Sequence, residues 1–260
     1  MLQEEYKTVF QTHNGHFEFL VMSQGLTRGP NTFQFAMNSD LSPVLRKCAV
    51  VFLDDILVFS ATYALHLQHL AEVLQLLLKH QWQVRLSKCA FAQQEIGYLG
   101  HIISGQGVST DPAEISAIQD WPVPVSVKEA RGYLGLAGYY RKFIKLYGVI
   151  SRPLTLLLKK GVYFHWTDVE QQSFVAFKEA LASAPVLALP DFSTKFIVET
   201  DACDVGIGAV LMQYGHPLAY VSKALGHRNQ ALSVYEKEYL AILLAVDHWR
   251  QYLQLFKFVI

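Results

Sequence analysis

Residues 50–60, VVFLDDILVFS, constrain this chain more than any other stretch. Apolar runs rich in β-branched and aromatic residues flank the adjacent carboxylates Asp54 and Asp55, a strand–turn–strand pattern. Asp is an ordinary turn residue, so a plain hairpin tip is one reading. The turn has neither Gly nor Asn, however, and it holds two like charges side by side. A divalent cation would relieve that repulsion. Carboxylates fixed on a hairpin are also the hard oxygen ligands that two-metal phosphoryl transfer requires.

The remaining 249 positions must supply the setting, and 260 residues suffice for one large or two modest domains. The 22 basic and 22 acidic residues cancel. Their distribution does not: residues 127–160 hold eight basic side chains against Glu129 alone, so this window carries +7 and the rest of the chain −7. Three cysteines, Cys48, Cys89 and Cys203, cannot all pair and lack metal-ligand spacing, which fits a reducing compartment. The start MLQEEYK does not read as a signal peptide, and apolar runs such as YLAILLAV are shorter than the ~20 residues a bilayer span needs. These features predict a soluble intracellular protein of the cytoplasm or nucleus.

The pattern predicts a strand at FEFLVM, then a helix opened by Pro30 and running to about Arg46. Residues 63–81 read as an amphipathic helix with Leu67, Leu70, Leu74, Leu77 and Leu78 on one face. His66 and His69 lie three apart on it, as a surface pair or as two ligands of one metal. VRLSKCAF reads as a strand carrying Lys88, and GYLGHIIS as a hairpin. Ser126 and Glu129 form a capping-box pattern opening a helix, VKEARGYLGLAGYYRKFIKLY. Its charges are either a solvated face or, with Tyr133, Tyr139 and Tyr147 interleaved, a surface for a duplex backbone. Thr167 and Glu170 cap a further helix to about Ser183, and prolines then mark a linker. The last seventy or so residues read as three strands, a long helix and a fourth strand.

The ordered runs KCAF, GYLGHIIS, DWPVP, LGLAGYYRKFI, RPLTLLLKKG, FHWT, SAPVLALPDF and ETDACDVGIGAVL, together with FLDD, resemble the polyprotein of gypsy-type long-terminal-repeat retrotransposons. The resemblance covers essentially the whole chain. It implies an α+β fold: a partial reverse-transcriptase palm at residues 1–105 and a basic helical thumb at 106–165. A connection helix and linker follow at 166–191, then a truncated ribonuclease H-like α/β domain at 192–260. It implies RNA-directed DNA synthesis with Mg²⁺ or Mn²⁺, and hydrolysis of the RNA strand of a hybrid. The implied partners are RNA template, DNA primer, RNA–DNA hybrid and dNTP, with no membrane.

The resemblance also assigns roles. Asp54 and Asp55 become palm metal ligands, and Lys88 lies near the triphosphate as a candidate acid. Gln24 and Gly25 match the Gln-Gly of retroviral enzymes beneath the nucleotide, whereas the gypsy branch more often has Pro-Phe-Gly there. Tyr98, Leu99, Gly100 and His101 become primer contacts. Arg131, Arg141, Lys142 and Lys145 become thumb contacts to the template–primer duplex. Asp201 and Glu238 become ribonuclease H metal ligands.

The family's first palm Asp precedes the position matching Met1, and its next ribonuclease H Asp follows Ile260. The sequence therefore predicts a chain of low activity in both reactions. Two alternatives remain: a non-catalytic nucleic-acid-binding or interaction remnant, and a degenerate reading frame whose product folds poorly.

Overall fold

The computed structural model describes residues 5–23 and 25–260. The chain divides into two units, Met1–Gln93 and Gln94–Ile260.

The first unit opens with a hairpin, β1 (Phe10–Thr12) and β2 (Gly15–Phe17), turning at His13 and Asn14. The strand expected over FEFLVM stops at Phe17, where its three-residue partner ends. Helix α1 (Gly29–Asp40) has Pro30 in its first turn and ends six residues before the expected Arg46. Pro43 accounts for the early stop, since its ring excludes a preceding helical turn. Strands β3 (Ala49–Phe52) and β4 (Asp55–Val58) then pair as an antiparallel hairpin. Helix α2 (Tyr63–Lys79) follows, with Thr62 accepting from Leu65 N–H as its cap.

Met37, Leu41, Val44, Ala49, Val73 and Leu77 close the core of this unit. On α2 the buried positions are Val73 and Leu77, while Leu67, Leu74 and Leu78 of the expected apolar stripe are exposed. Residues 86–88 form a 3₁₀ turn rather than the strand expected at VRLSKCAF. A hydrogen bond from Arg85 Nε to Ser87 Oγ and the local Lys88 N–H to Arg85 carbonyl bond close it, and such local bonds compete with extended structure.

The second unit begins with an antiparallel meander, β5 (Glu95–Tyr98), β6 (His101–Ser104) and β7 (Gly107–Thr110). Helices α3 (Pro112–Gln119) and α4 (Val127–Tyr139) follow. The single helix expected to reach residue 147 breaks after Tyr139 into a 3₁₀ turn at Arg141–Phe143 and short helices α5 (Tyr147–Ile150) and α6 (Arg152–Leu156). Three glycines in α4 lower its propensity, at about 1 kcal/mol each against Ala. Ser126 caps α4 through Glu129 N–H, but Glu129 reaches back to Val125 N–H instead of completing the box. Helix α7 (Asp168–Ala182) does carry a full capping box at Thr167 and Glu170.

Tyr133, Tyr140, Phe143, Ile144, Phe174 and Phe177 form the core around these helices. Tyr133, expected among the exposed aromatics of a duplex surface, is fully buried against Phe174. Its spacing among charges did not reveal which way it turns.

The remaining sheet has strand order β10-β9-β8-β11, from β8 (Phe196–Ala202), β9 (Gly206–Gln213), β10 (His216–Ala224) and, after three helices, β11 (Phe258–Val259). β11 runs parallel to β8 and the other pairs are antiparallel. The helices are α8 (His227–Gln230), α9 (Val234–His248) and α10 (Arg250–Leu253). α9 lies on the sheet through Ala241, Ala245 and Trp249, which bury against Ile207, Ala209 and Leu211.

Short helix α5 approaches the sheet closely at two glycines, Gly148 against the β10 backbone and Gly206 of β9 against the Val149 side chain. A Cβ at Gly148 would lie 2.8 Å from Ser222 O, and one at Gly206 would lie 2.2 Å from Val149 Cγ2. Among the described residues no helix is long and apolar enough to cross a membrane.

Candidate functional site

Asp54 and Asp55 sit where the residue pattern requires, at the tip of the β3–β4 hairpin. Phe52 pairs with Asp55, leaving Leu53 and Asp54 as a two-residue loop with both carboxylates at the surface. Leu53 has φ +51°, a conformation that bulky residues rarely adopt, so the tip must be held from outside.

Gln34 of α1 supplies that hold. Its Oε1 accepts from Leu53 N–H at 2.6 Å, and its Nε2 donates to Val51 O at 3.2 Å and to Asn38 Oδ1 at 2.9 Å. The amide therefore clamps the β3 arm and the first loop residue of the turn that carries the aspartates. Nothing in the local pattern around Gln34 signals this, because its partners are backbone groups 17 and 19 residues away.

Among the described residues no three His, Cys, Asp or Glu side chains converge as a metal cluster. The Asp54–Asp55 pair nonetheless suits a hard cation such as Mg²⁺, which accepts one or two carboxylates and completes its shell with water and substrate phosphates. Of the other residues assigned to this unit, Gln24 lies outside the described residues. Gly25 occupies a turn with φ +92° and open space about its Cα. Lys88 is exposed at the end of its 3₁₀ turn. Ser60 Oγ lies 2.7 Å from His69 Nδ1 and 3.4 Å from His66 Nδ1, so the histidine pair shares a hydroxyl.

In the second unit, Leu99 and Gly100 form the two-residue turn between β5 and β6. Both have positive φ, +49° and +69°, as a type I′ loop requires. Two consecutive tyrosines at the end of α4 fasten this turn. Tyr139 donates its hydroxyl to Leu99 O at 2.6 Å and Tyr140 to Gly100 O at 2.8 Å. Beneath the turn, His101 stacks on Tyr139 at 5.1 Å and meets Tyr140 and Phe143. Burial, with Lys142 adding to it, depresses His101 to about 4, so its ring is neutral near pH 7. The turn is thus a rigid projection of the α4 core.

Arg131 and Lys145 are exposed; Arg141 and Lys142 lie on the 3₁₀ turn after α4. Lys142 is partly buried, with Nζ 5.2 Å from the Phe143 ring centroid, and burial lowers its affinity for a proton.

Asp201 is exposed on β8, opposite Gly208 of β9, and Glu238 is half-buried on α9. The buried residues of α9 are Lys237, Ala241 and Ala245, followed by its buried C-cap Trp249. Lys237 is only 4% exposed, and its Nζ meets Asp204 Oδ1 at 2.9 Å across the loop after β8. A buried lysine beside Glu238 thereby anchors the loop that follows Asp201, a link no local spacing revealed.

Residues 1–103 match the family model for reverse transcriptase (RNA-dependent DNA polymerase), and residues 166–260 match the RNase H-like domain found in reverse transcriptase. The chain is 41% identical over 248 residues to the retrovirus-related Pol polyprotein from transposon 297 of Drosophila melanogaster, covering 95% of this chain and 23% of that one. It is 37% identical over 256 residues to the transposon Tf2-3 polyprotein of Schizosaccharomyces pombe, covering 96% and 19%. The chain therefore spans about a fifth to a quarter of the length of these curated relatives. Among solved structures it resembles foamy viral protease-reverse transcriptase in complex with an RNA/DNA hybrid, with TM-score 0.84 and 23% identity over 97% of this chain and 35% of that one. A second, the same kind of enzyme in complex with dsDNA, gives TM-score 0.83 and 24% identity over 95% and 53%. At these identities the likeness is one of fold.

Proposed function

We propose that this chain, which carries a reverse transcriptase segment ahead of a ribonuclease H-like domain and aligns along nearly its whole length with transposon polyproteins, serves template-primed DNA synthesis on RNA in a gypsy-type retrotransposon. The observation that carries this reading is the exposed Asp54–Asp55 pair at a hairpin tip clamped by Gln34, inside the segment matching reverse transcriptase.

In this proposal Asp54 and Asp55 hold Mg²⁺, with Mn²⁺ as a substitute, and Asp201 and Glu238 hold it in the ribonuclease H-like domain. The bound ion supplies charge neutralisation at the phosphate and an activated oxygen nucleophile. Gln34 fixes the hairpin that presents the first pair. The tyrosine-fastened turn Tyr98–His101 positions the primer end, and Arg131 and Lys145 meet the duplex backbone as point charges on an exposed surface. Lys88 and Gly25 attend the dNTP. The setting is the cytoplasm or nucleus.

The test is primer extension on an RNA template with Mg²⁺, wild type beside the Asp54→Asn, Asp55→Asn double variant. RNA cleavage in a hybrid, beside Asp201→Asn, tests the second domain. Incorporation that the double variant retains would overturn the palm assignment.

The exposed positive charge at Arg131 and Lys145 also supports a second reading, hybrid binding without catalysis. It predicts an affinity that falls steeply as salt rises, as counterion release dictates.

A further inference from the structure

The basic segment does more than coat a surface. A cleft of about 870 Å³ opens between the stretch from α4 to α6 and strand β10, lined by Arg141, Lys142, Arg152, Lys223 and His248. No carboxylate lines it. Neither arginine and neither lysine forms an ion pair among the described residues. Converging cations without counter-charge repel one another, and a bound anion removes that repulsion. Burial weakens the hold of Lys142 on a proton, and at His248 burial and then Arg141 act in the same direction against the smaller opposing effect of Asp247.

The walls also carry aromatic surface. Tyr147 and Tyr220 line the cleft beside Leu134 and Val221. Aromatic rings interleaved with basic groups are the chemistry that receives a base together with its phosphates. The volume falls within the roughly 300–1,000 Å³ of small-ligand sites, which suits one or two nucleotides and not the body of a duplex. The walls are held in place by the close approach of α5 to the sheet, where Gly148 N–H donates to Ser222 Oγ at 2.8 Å.

We propose that this cleft is a nucleoside-phosphate site, separate from the aspartate hairpin, that takes either a free nucleotide or the unpaired end of a strand. It does not rest on the catalytic reading above. Arg141 and Lys142, assigned by resemblance to the duplex, line this cleft together with Lys223 of the ribonuclease H-like sheet.

The test uses the full chain in EDTA, so that carboxylate metal sites are silent. Binding of dATP is followed by calorimetry, and binding of fluorescein-labelled (dT)₆ and of a blunt DNA duplex by anisotropy. Lys223→Glu and Arg152→Glu place a carboxylate in the cleft at positions that are exposed and half-buried, respectively. The ring C–H resonance of His248 reports occupancy in the unsubstituted protein.

A tenfold or greater loss of dATP binding in either variant assigns a free nucleotide. The same loss for (dT)₆ alone assigns a strand end. Either result comes with a shifted His248 resonance on titration. No binding of dATP or (dT)₆, binding of both that is unchanged in both variants, or a His248 resonance that does not move overturns the proposal. Failure of primer extension leaves these outcomes untouched, so the two readings fail separately.

Discussion

The Oε1 of Gln34 accepts a 2.6 Å hydrogen bond from the N–H of Leu53, the residue immediately before Asp54. A side chain of α1 thus fixes the turn on which both carboxylates ride. Replacing it by alanine leaves Leu53 N–H without this acceptor and Val51 O without this donor, at a cost of ~1–3 kcal/mol. Gln34→Ala is therefore expected to lower the urea midpoint of the first unit. It should also weaken Mn²⁺ binding, read by water-proton relaxation, while Gln34 itself touches no metal.

Gly107 has φ +138°, and a Cβ there would lie 2.1 Å from Leu187 O, the acceptor of the Val108 N–H bridge. Gly107→Ala combines a disallowed conformation with a backbone clash that no rotamer relieves. It is expected to destabilise by ~2 kcal/mol or more, read as a lower thermal midpoint.

His101 supplies a pH dependence with a definite sign. Its folded value, about 4, lies below the ordinary 6.5 because burial, then Lys142, disfavours the imidazolium. The unfolded chain therefore takes up the proton first as pH falls. The stability that the neutral ring contributes is full above about pH 6.5 and is lost progressively toward pH 4, by up to ~3 kcal/mol. His101→Phe keeps the stack on Tyr139 and removes the proton site. Chemical melts between pH 4 and 7 should diverge as pH drops, because wild type loses stability that His101→Phe retains.

The Lys237–Asp204 pair joins a side chain 5% exposed to one 96% exposed. Burial penalises the ammonium while solvent screens its partner, so the pair adds little net stability. Lys237→Met is expected to leave the thermal midpoint unchanged or raise it. Asp204→Ala, which strands the buried ammonium, is expected to lower it. If the loop after Asp201 depends on this anchor, Lys237→Met also weakens Mn²⁺ binding there without loss of fold.

Elements that bury a periodic pattern were legible in the sequence. The alternation around Asp54 and Asp55 specified the β3–β4 hairpin. What was not legible arises from contacts distant along the chain. Gln34 reads as a polar helix residue until Leu53 folds against it. Lys237 reads as solvated until Asp204 reaches it. Tyr133 lies among charges and glycines, and only packing against Phe174 and Phe177 decides that it faces inward. The stretch at Lys88 has strand-like side chains but forms its own local turn.

Primer extension on an RNA template with Mg²⁺, wild type beside Asp54→Asn, Asp55→Asn, is the first measurement to make. Incorporation is expected, at any measurable rate, that requires both template and Mg²⁺ and disappears in the double variant. No incorporation by a folded wild-type sample, or equal incorporation by the variant, would contradict this expectation.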